Sequence, residues 1–305
     1  MRFVSYLLDG ERRAGVVVQD RIHGFEPGVS LLSLLGDDGE KLRAAGEEAL
    51  NDPRQVIAIA DAGLIAPIPD PPTVRDFVTF EQHYAGSMLA VDPGATVPAA
   101  WYEIPTFYFT NPYAIRGPLD DIPIPPGSQR LDLELEVAAI IGRGGRDIDA
   151  ASADEHIAGF CILNDWSARD LQFHEMAVGL GPAKGKDTSI SLGPTLVTPD
   201  ELDQYRSGNS YDLEMVARIN GETIGRDSLS SMHFSFGQMI EHASRGTEVR
   251  PGDVLGSGTC GGGCLAEMWG RHGSDAHESL QPGDVVSVSV EALGDMTTTI
   301  VAYGS

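Results

Sequence analysis

A strand-rich α+β fold is what this sequence predicts, and three observations predict it. From about residue 70 onward, strand-like segments dominate: "PTFYFTN", "LELEVAAIIG", "GFCILNDW", "GPTLVT", "LEMVARING", "DVVSVSVEAL" and "TTTIVAYG". Two stretches there read as helical, the polar text at 149–157 and "SSMHFSFGQMIEHASR". Strands and helices do not alternate regularly, which disfavours a doubly wound sheet or a (β/α)8 barrel. No unit of roughly 20 to 50 residues repeats, so a solenoid is excluded as well.

The N-terminal part reads as a smaller unit. "FVSYLLDG" and "AGVVVQDRIHGF" are two strands around a turn at Asp9 and Gly10. "SLLSLLGDDGEKLRAAGEEALN" is amphipathic and mostly helical, with Gly36, Gly39 and Gly46 as interruptions. Prolines at 67, 69, 71 and 72 then mark a rigid turn or linker. The domain boundary is placed there, giving a small α+β domain at 1–70 and a larger one at 71–305.

Charge removes some function classes. The chain has 305 residues, with 45 acidic against 21 basic ones and a net charge of −24. Such a field repels nucleic acid and anionic membrane, so neither is expected as a partner. No window has the length of a membrane span, and "MRFVSYLLDGERRAG" lacks the apolar core of a secretory signal. Three cysteines, Cys161, Cys260 and Cys264, do not make a disulfide framework. A cytoplasmic location is the expectation.

The chemistry begins at "RLDLELEVAAIIG". Asp132, Glu134 and Glu136 alternate with Leu131, Leu133 and Leu135, which is strand period, so leucines face one way and acids the other. A solvated edge strand is one reading. Against it, the strand continues wholly apolar, and Asp165 ends a second buried strand, "GFCILN", where it could join Glu134 and Glu136. Converging carboxylates need a cation, and hard oxygen ligands select Mg2+, Mn2+ or Ca2+. In "RDFVTFEQH", Asp76 and His83 flank two phenylalanines; a helix N-cap for Asp76 and a structural role for His83 are the plainer readings. Arg169, Lys184 and Lys186 lie close together in an acidic chain, either as an anion-binding edge or as a solvated loop. "GSGTCG" fits the dinucleotide pattern literally but lacks its βαβ setting, and the lone Cys260/Cys264 pair is a poor zinc site. Glu267 stands among apolar neighbours in "CLAEMWG".

Together these motifs, in this order from about residue 70 to the C-terminus, resemble the fumarylacetoacetate hydrolase family. The "E-L-E" strand followed by "NDWSARD-x-Q" is the most specific part of the likeness. The resemblance implies a mixed β-roll catalytic domain, a homodimer, and a divalent cation held by Glu134, Glu136 and Asp165, with Asp76 added in the more similar members. It implies His83 as the base that activates water, assisted by Glu267, and Tyr108, Arg169, Gln172 and Thr259 as groups that hold the substrate. The site lysine aligns two ways; Lys184 is preferred, as a catalytic group, over Lys186 beside the substrate. No role carries over to Asp132. Where the family enzyme has tyrosines, this chain has Val78 and Met176. The implied reaction is metal-dependent hydrolysis of a carbon–carbon bond in a 1,3-diketo acid, an acylpyruvate, fumarylpyruvate or fumarylacetoacetate-like oxo acid. Decarboxylation or isomerisation of a related 2-oxo acid is the alternative, and a binding protein without turnover a more distant one.

Overall fold

In the computed structural model, which describes residues 1–304, one long mixed sheet runs through both parts of the chain. Its strands follow the order Val56–Ala58, Arg21–Gly24, Glu11–Val18, Arg2–Leu8, Ile190–Val197, Ile157–Asp165, Leu135–Ile141, Val254–Gly256, Val74–Phe77 and Phe107–Thr110. The N-terminal hairpin joins the rest where Arg2 and Phe3 pair with Val197 and Leu196. A second sheet orders Glu222–Ser228, Glu214–Ile219, Val285–Val290, Gly294–Val301 and Ile122–Pro123. The architecture is the strand-rich α+β fold that the sequence predicts.

The core follows from side-chain alternation along Leu135–Ile141. Leu135, Val137, Ala139 and Ile141 belong to a cluster with Ala217, Val288 and Met296 of the second sheet. Ala138 and Ile140, on the opposite face, pack with Phe3, Val16 and Leu42 of the N-terminal part. All seven residues of the strand are buried, as a strand covered on both faces must be.

The seven segments read as strands all contain one, and "SSMHFSFGQMIEHASR" forms the helix Phe236–Ser244, closed by a Ser235/Gln238 capping box. Helix in "SLLSLLGDDGEKLRAAGEEALN" is confined to Glu40–Asn51 and a 3-10 turn at Leu32–Leu34. Three short helices went unread: Glu81–Leu89, Arg169–Met176 and Leu265–His272. Each has eight or nine residues, little more than two turns and shorter than the window of about eleven over which an apolar stripe stands out. No helix among the described residues is long and apolar enough to cross a membrane.

Candidate active site

Register brings the acids together. Leu135 pairs with Asn164, and the Asp165 N–H donates to the Glu134 carbonyl at 3.1 Å. On the other side, Ala138 pairs with Gly256, Gly256 with Asp76, and Asp76 with Tyr108. Acids from three different strands therefore meet at one level of the sheet. Gly256 leaves the room for this: a Cβ on it would lie 2.6 Å from Asp76 Oδ1 and 2.8 Å from Glu136 Oε2 and would displace both carboxylates.

Asp76, Glu134, Glu136 and Asp165 are all buried, and oxygens of Asp76, Glu134 and Glu136 lie within 4.8 Å of one another. Tyr108 donates its hydroxyl to Asp165, and Asp76 Oδ2 lies 3.1 Å from the same hydroxyl oxygen. Lys186 Nζ donates to Glu134 and, at 2.7 Å, to Asp165 Oδ2. Glu136 accepts the Gly258 N–H at 3.0 Å, and Thr259 Oγ1 stands 3.4 Å from its other oxygen. Among the described residues no N–H or O–H donor reaches the buried Asp76 Oδ1 and Asp165 Oδ1, and Asp76 and Glu136 stand close enough to share a proton.

Electrostatics divides this group. Burial, then the charge of Asp165, pushes Asp76 well above the usual carboxylate range, and burial followed by the charge of Asp76 does the same to Glu136. Burial also raises Asp165, although Lys186 opposes it. For Glu134 burial acts upward too, but Arg169 and Lys186 outweigh it and hold the group low. Burial likewise opposes the charge of Lys186, yet Asp165 and Glu134 keep its ammonium protonated beyond the ordinary lysine range. Two orphaned buried oxygens and three carboxylates that resist ionisation together fit a hard divalent cation, which would supply the missing partner and the missing charge.

His83 sits on the helix Glu81–Leu89 at the edge of the cluster. Its Nε2 lies 3.7 Å from Glu134 Oε1, while Nδ1 faces Glu267 Oε1 at 3.4 Å, Ser87 Oγ at 3.3 Å and Cys264 Sγ at 3.5 Å. Glu267 is fixed by the Gly262 N–H at 2.8 Å and by Arg271 at 3.1 Å. With a proton on Nδ1, facing Glu267, Nε2 is the nitrogen free to accept one at the acid cluster.

Arg169 is buried and donates to Asp132 Oδ2 at 2.7 Å, to Glu134 Oε1 at 2.6 Å and to Gln172 Oε1 at 3.1 Å. Asp132 also accepts the N–H groups of Leu265 and Ala266 at 2.7 and 3.0 Å, so it closes the N-terminus of the helix Leu265–His272. That helix carries Glu267, and Asp132 therefore aligns two elements of the site without facing its centre.

Two expectations and one plainer reading are corrected. Lys184 is not the lysine of this cluster: its side chain is 66 % exposed and pairs with Asp187 at 2.9 Å, whereas the Lys186 side chain is 4 % exposed among the acids. The anion edge of three clustered cations thereby loses Lys184. Asp76 caps no helix; it lies in the strand Val74–Phe77. The cause of the lysine inversion is local. Gly185 packs on the helix Arg169–Met176 so closely that a Cβ would fall 2.6 Å from the Gln172 nitrogen, and Thr110 Oγ1 holds the Lys186 carbonyl at 2.8 Å. Pinned at both points, the turn directs residue 186 inward.

Asp76, His83, Tyr108, Glu134, Glu136, Arg169, Gln172, Lys186 and Thr259 all line one cavity of about 330 Å3. The sequence reading missed Ser87 and Cys264 beside His83. The spacing of four between His83 and Ser87 would place Ser87 on the same helix face, but Cys264 is joined to His83 by tertiary packing alone.

Comparison with known proteins gives the family. Residues 73–301 match the model for the fumarylacetoacetate (FAA) hydrolase C-terminal family. A fumarylacetoacetase of Oryza sativa subsp. japonica is 27 % identical, over 84 % of this chain and 73 % of its own. The mitochondrial oxaloacetate tautomerase FAHD2A of Bos taurus is 29 % identical, over 92 % of this chain and 83 % of its own. The structure of a fumarylacetoacetate hydrolase from Exiguobacterium antarcticum superposes with a TM-score of 0.75 at 28 % identity, covering 99 % of both chains. The chain belongs to the fumarylacetoacetate hydrolase family, an enzyme superfamily with hydrolases and tautomerases among its members.

Proposed function

We propose that this protein hydrolyses a carbon–carbon bond in a 1,3-diketo acid, with a divalent cation of the Mg2+ class in the acid cluster. The observation that carries this reading is His83, with one nitrogen directed at the buried Glu267 and the other at Glu134 on the cavity floor. Asp76, Glu134, Glu136 and Asp165 would hold the cation. When bound it supplies Lewis-acid polarisation of the keto group and offsets enolate charge.

The chain's own groups do the rest. Arg169, with Gln172 beside it, binds the substrate carboxylate. His83 Nε2 takes a proton from a water that adds to the remote acyl carbonyl, and Glu267 stabilises the imidazolium so formed. Cleavage of the carbon–carbon bond releases a carboxylic acid and the enolate of a 2-oxo acid, near Lys186; a proton then returns to the enolate carbon. The reading includes a cytoplasmic homodimer, checked by light scattering for its assembly.

The similarity to an oxaloacetate tautomerase supports a second reading, proton transfer on a 2-oxo acid without attack by water. Purified protein with Mg2+ should be assayed against acylpyruvates, fumarylpyruvate and oxaloacetate. Hydrolysis of a dioxo acid, lost on chelation and lowered about a hundredfold or more by His83→Ala, is the expected result. Tautomerisation of oxaloacetate with no dioxo acid cleaved would replace the hydrolytic reading.

A further inference from the structure

Above its polar floor the cavity changes character. Beside the polar cluster its lining is largely apolar, with Val78, Met88, Val91, Phe107, Phe173 and Met176, while Tyr84 and Thr106 add hydroxyls. The lysine and arginine side chains among its lining residues are Arg169 and Lys186, and both stand at the acid cluster, where the 2-oxo acid head is placed. The rim leaves apolar surface in water: Val91 is 54 % exposed and Met176 43 %. Beyond Met176, Val178 and Leu180 are exposed too, and the chain then re-enters the cavity lining at Gly181 and Pro182.

From this division we infer that the part of the substrate remote from its 2-oxo acid head is an uncharged, apolar acyl arm, and that Val78, Met88, Val91, Phe107, Phe173 and Met176 determine that specificity. The inference rests on the proposed function for the position of the head group. A carboxylate at the far end of the arm would leave water for a wall without a cation, within the field of a chain of net charge −24, and burying an unpaired charge is strongly unfavourable. An alkyl or aryl arm instead covers side chains that are otherwise exposed at the rim, and gains with each buried methylene.

The test compares acylpyruvates with acetyl, butanoyl, hexanoyl and benzoyl arms against one with a fumaryl arm, by kcat/KM with Mg2+. The expected result is a rise of up to about fourfold per added methylene and a fumaryl compound at least about tenfold poorer than the neutral arm of similar length. Val91→Arg, at an exposed rim position, should reduce that gap about tenfold by giving the remote carboxylate a partner. In parallel, plain 2-oxo acids with the same arms but no second carbonyl are titrated with Mg2+ present, and binding is read as a thermal shift. A fumaryl arm preferred by the unaltered protein, or binding that does not strengthen with arm length, would overturn the inference. If no dioxo acid is cleaved but binding still rises with arm length, the hydrolytic reading fails while the apolar-arm inference stands.

Discussion

Asp132 and Glu136 belong to one alternating acid row, four residues apart; Asp132 lies in the short strand Leu131–Asp132, Glu136 in Leu135–Ile141, and both are fully buried. Their surroundings are opposite. Asp132 accepts hydrogen bonds from Arg169 and from two backbone N–H groups at a helix N-terminus. Glu136 has a backbone N–H and a threonine hydroxyl, faces Asp76, and is pushed well up in pKa by burial and then by that neighbour. A buried carboxylate surrounded by donors is part of the framework; one surrounded by other carboxylates needs something further. The difference identifies which end of the row is built for a cation, although the sequence writes both ends in the same alternating pattern.

The comparison can be broken by substitution. Asp132→Asn should cost about 3–5 kcal/mol of folding stability, because it leaves Arg169 and a helix N-terminus short of a charge. Urea denaturation would show it; a loss under about 1 kcal/mol would mean that Asp132 is not the anchor described. Lys186→Met comes next. It removes the cation from between Glu134 and Asp165, and turnover should fall at least about a hundredfold with a reduced melting temperature. Lys184→Met, on the exposed side of the same turn, should stay within about 0.5 kcal/mol of the unaltered protein and keep its turnover. Equal effects at the two lysines would contradict the assignment of the buried one to the site.

A smaller effect concerns pH. Asp76, Glu136 and Asp165 have folded-state pKa values raised above their ordinary values of 3.8 for aspartate and 4.5 for glutamate. Their contribution to stability is complete below those ordinary values and is lost as pH rises through the raised ones. Glu134 is shifted the other way, so its contribution is lost as pH falls below its ordinary value of 4.5. As pH rises above those ordinary values the first three groups dominate. Chelated protein should therefore melt at progressively lower temperature as pH is raised from there, and added Mg2+ should flatten the decline. A melting temperature in chelator that rises with pH would contradict the account.

Legibility in the sequence followed the range of the interactions. Alternation in "LDLELE" announced which side the acids take, and the end of "GFCILN" announced Asp165, because strand period is a local property. Asp132 was opaque because its partners, Arg169 and the N–H groups of Leu265 and Ala266, are remote in sequence. Lys184 and Lys186 could not be separated either: they are two residues apart in one glycine-containing turn, and contacts at Gly185 and Thr110 decide which one points inward. The apolar wall is dispersed over two helices, one strand and the segments at Val78 and Val91, and no short window of sequence displays it.

The central claim is that the Glu136 end of the acid row holds a divalent cation. Its most direct test is calorimetric titration of Mg2+ into chelator-treated protein and into Glu136→Gln, both first shown to be folded by circular dichroism. The account predicts one ion per chain for the unaltered protein and binding weakened at least about a hundredfold in Glu136→Gln. No saturable binding to the unaltered protein, or equal affinity in the two, would contradict it.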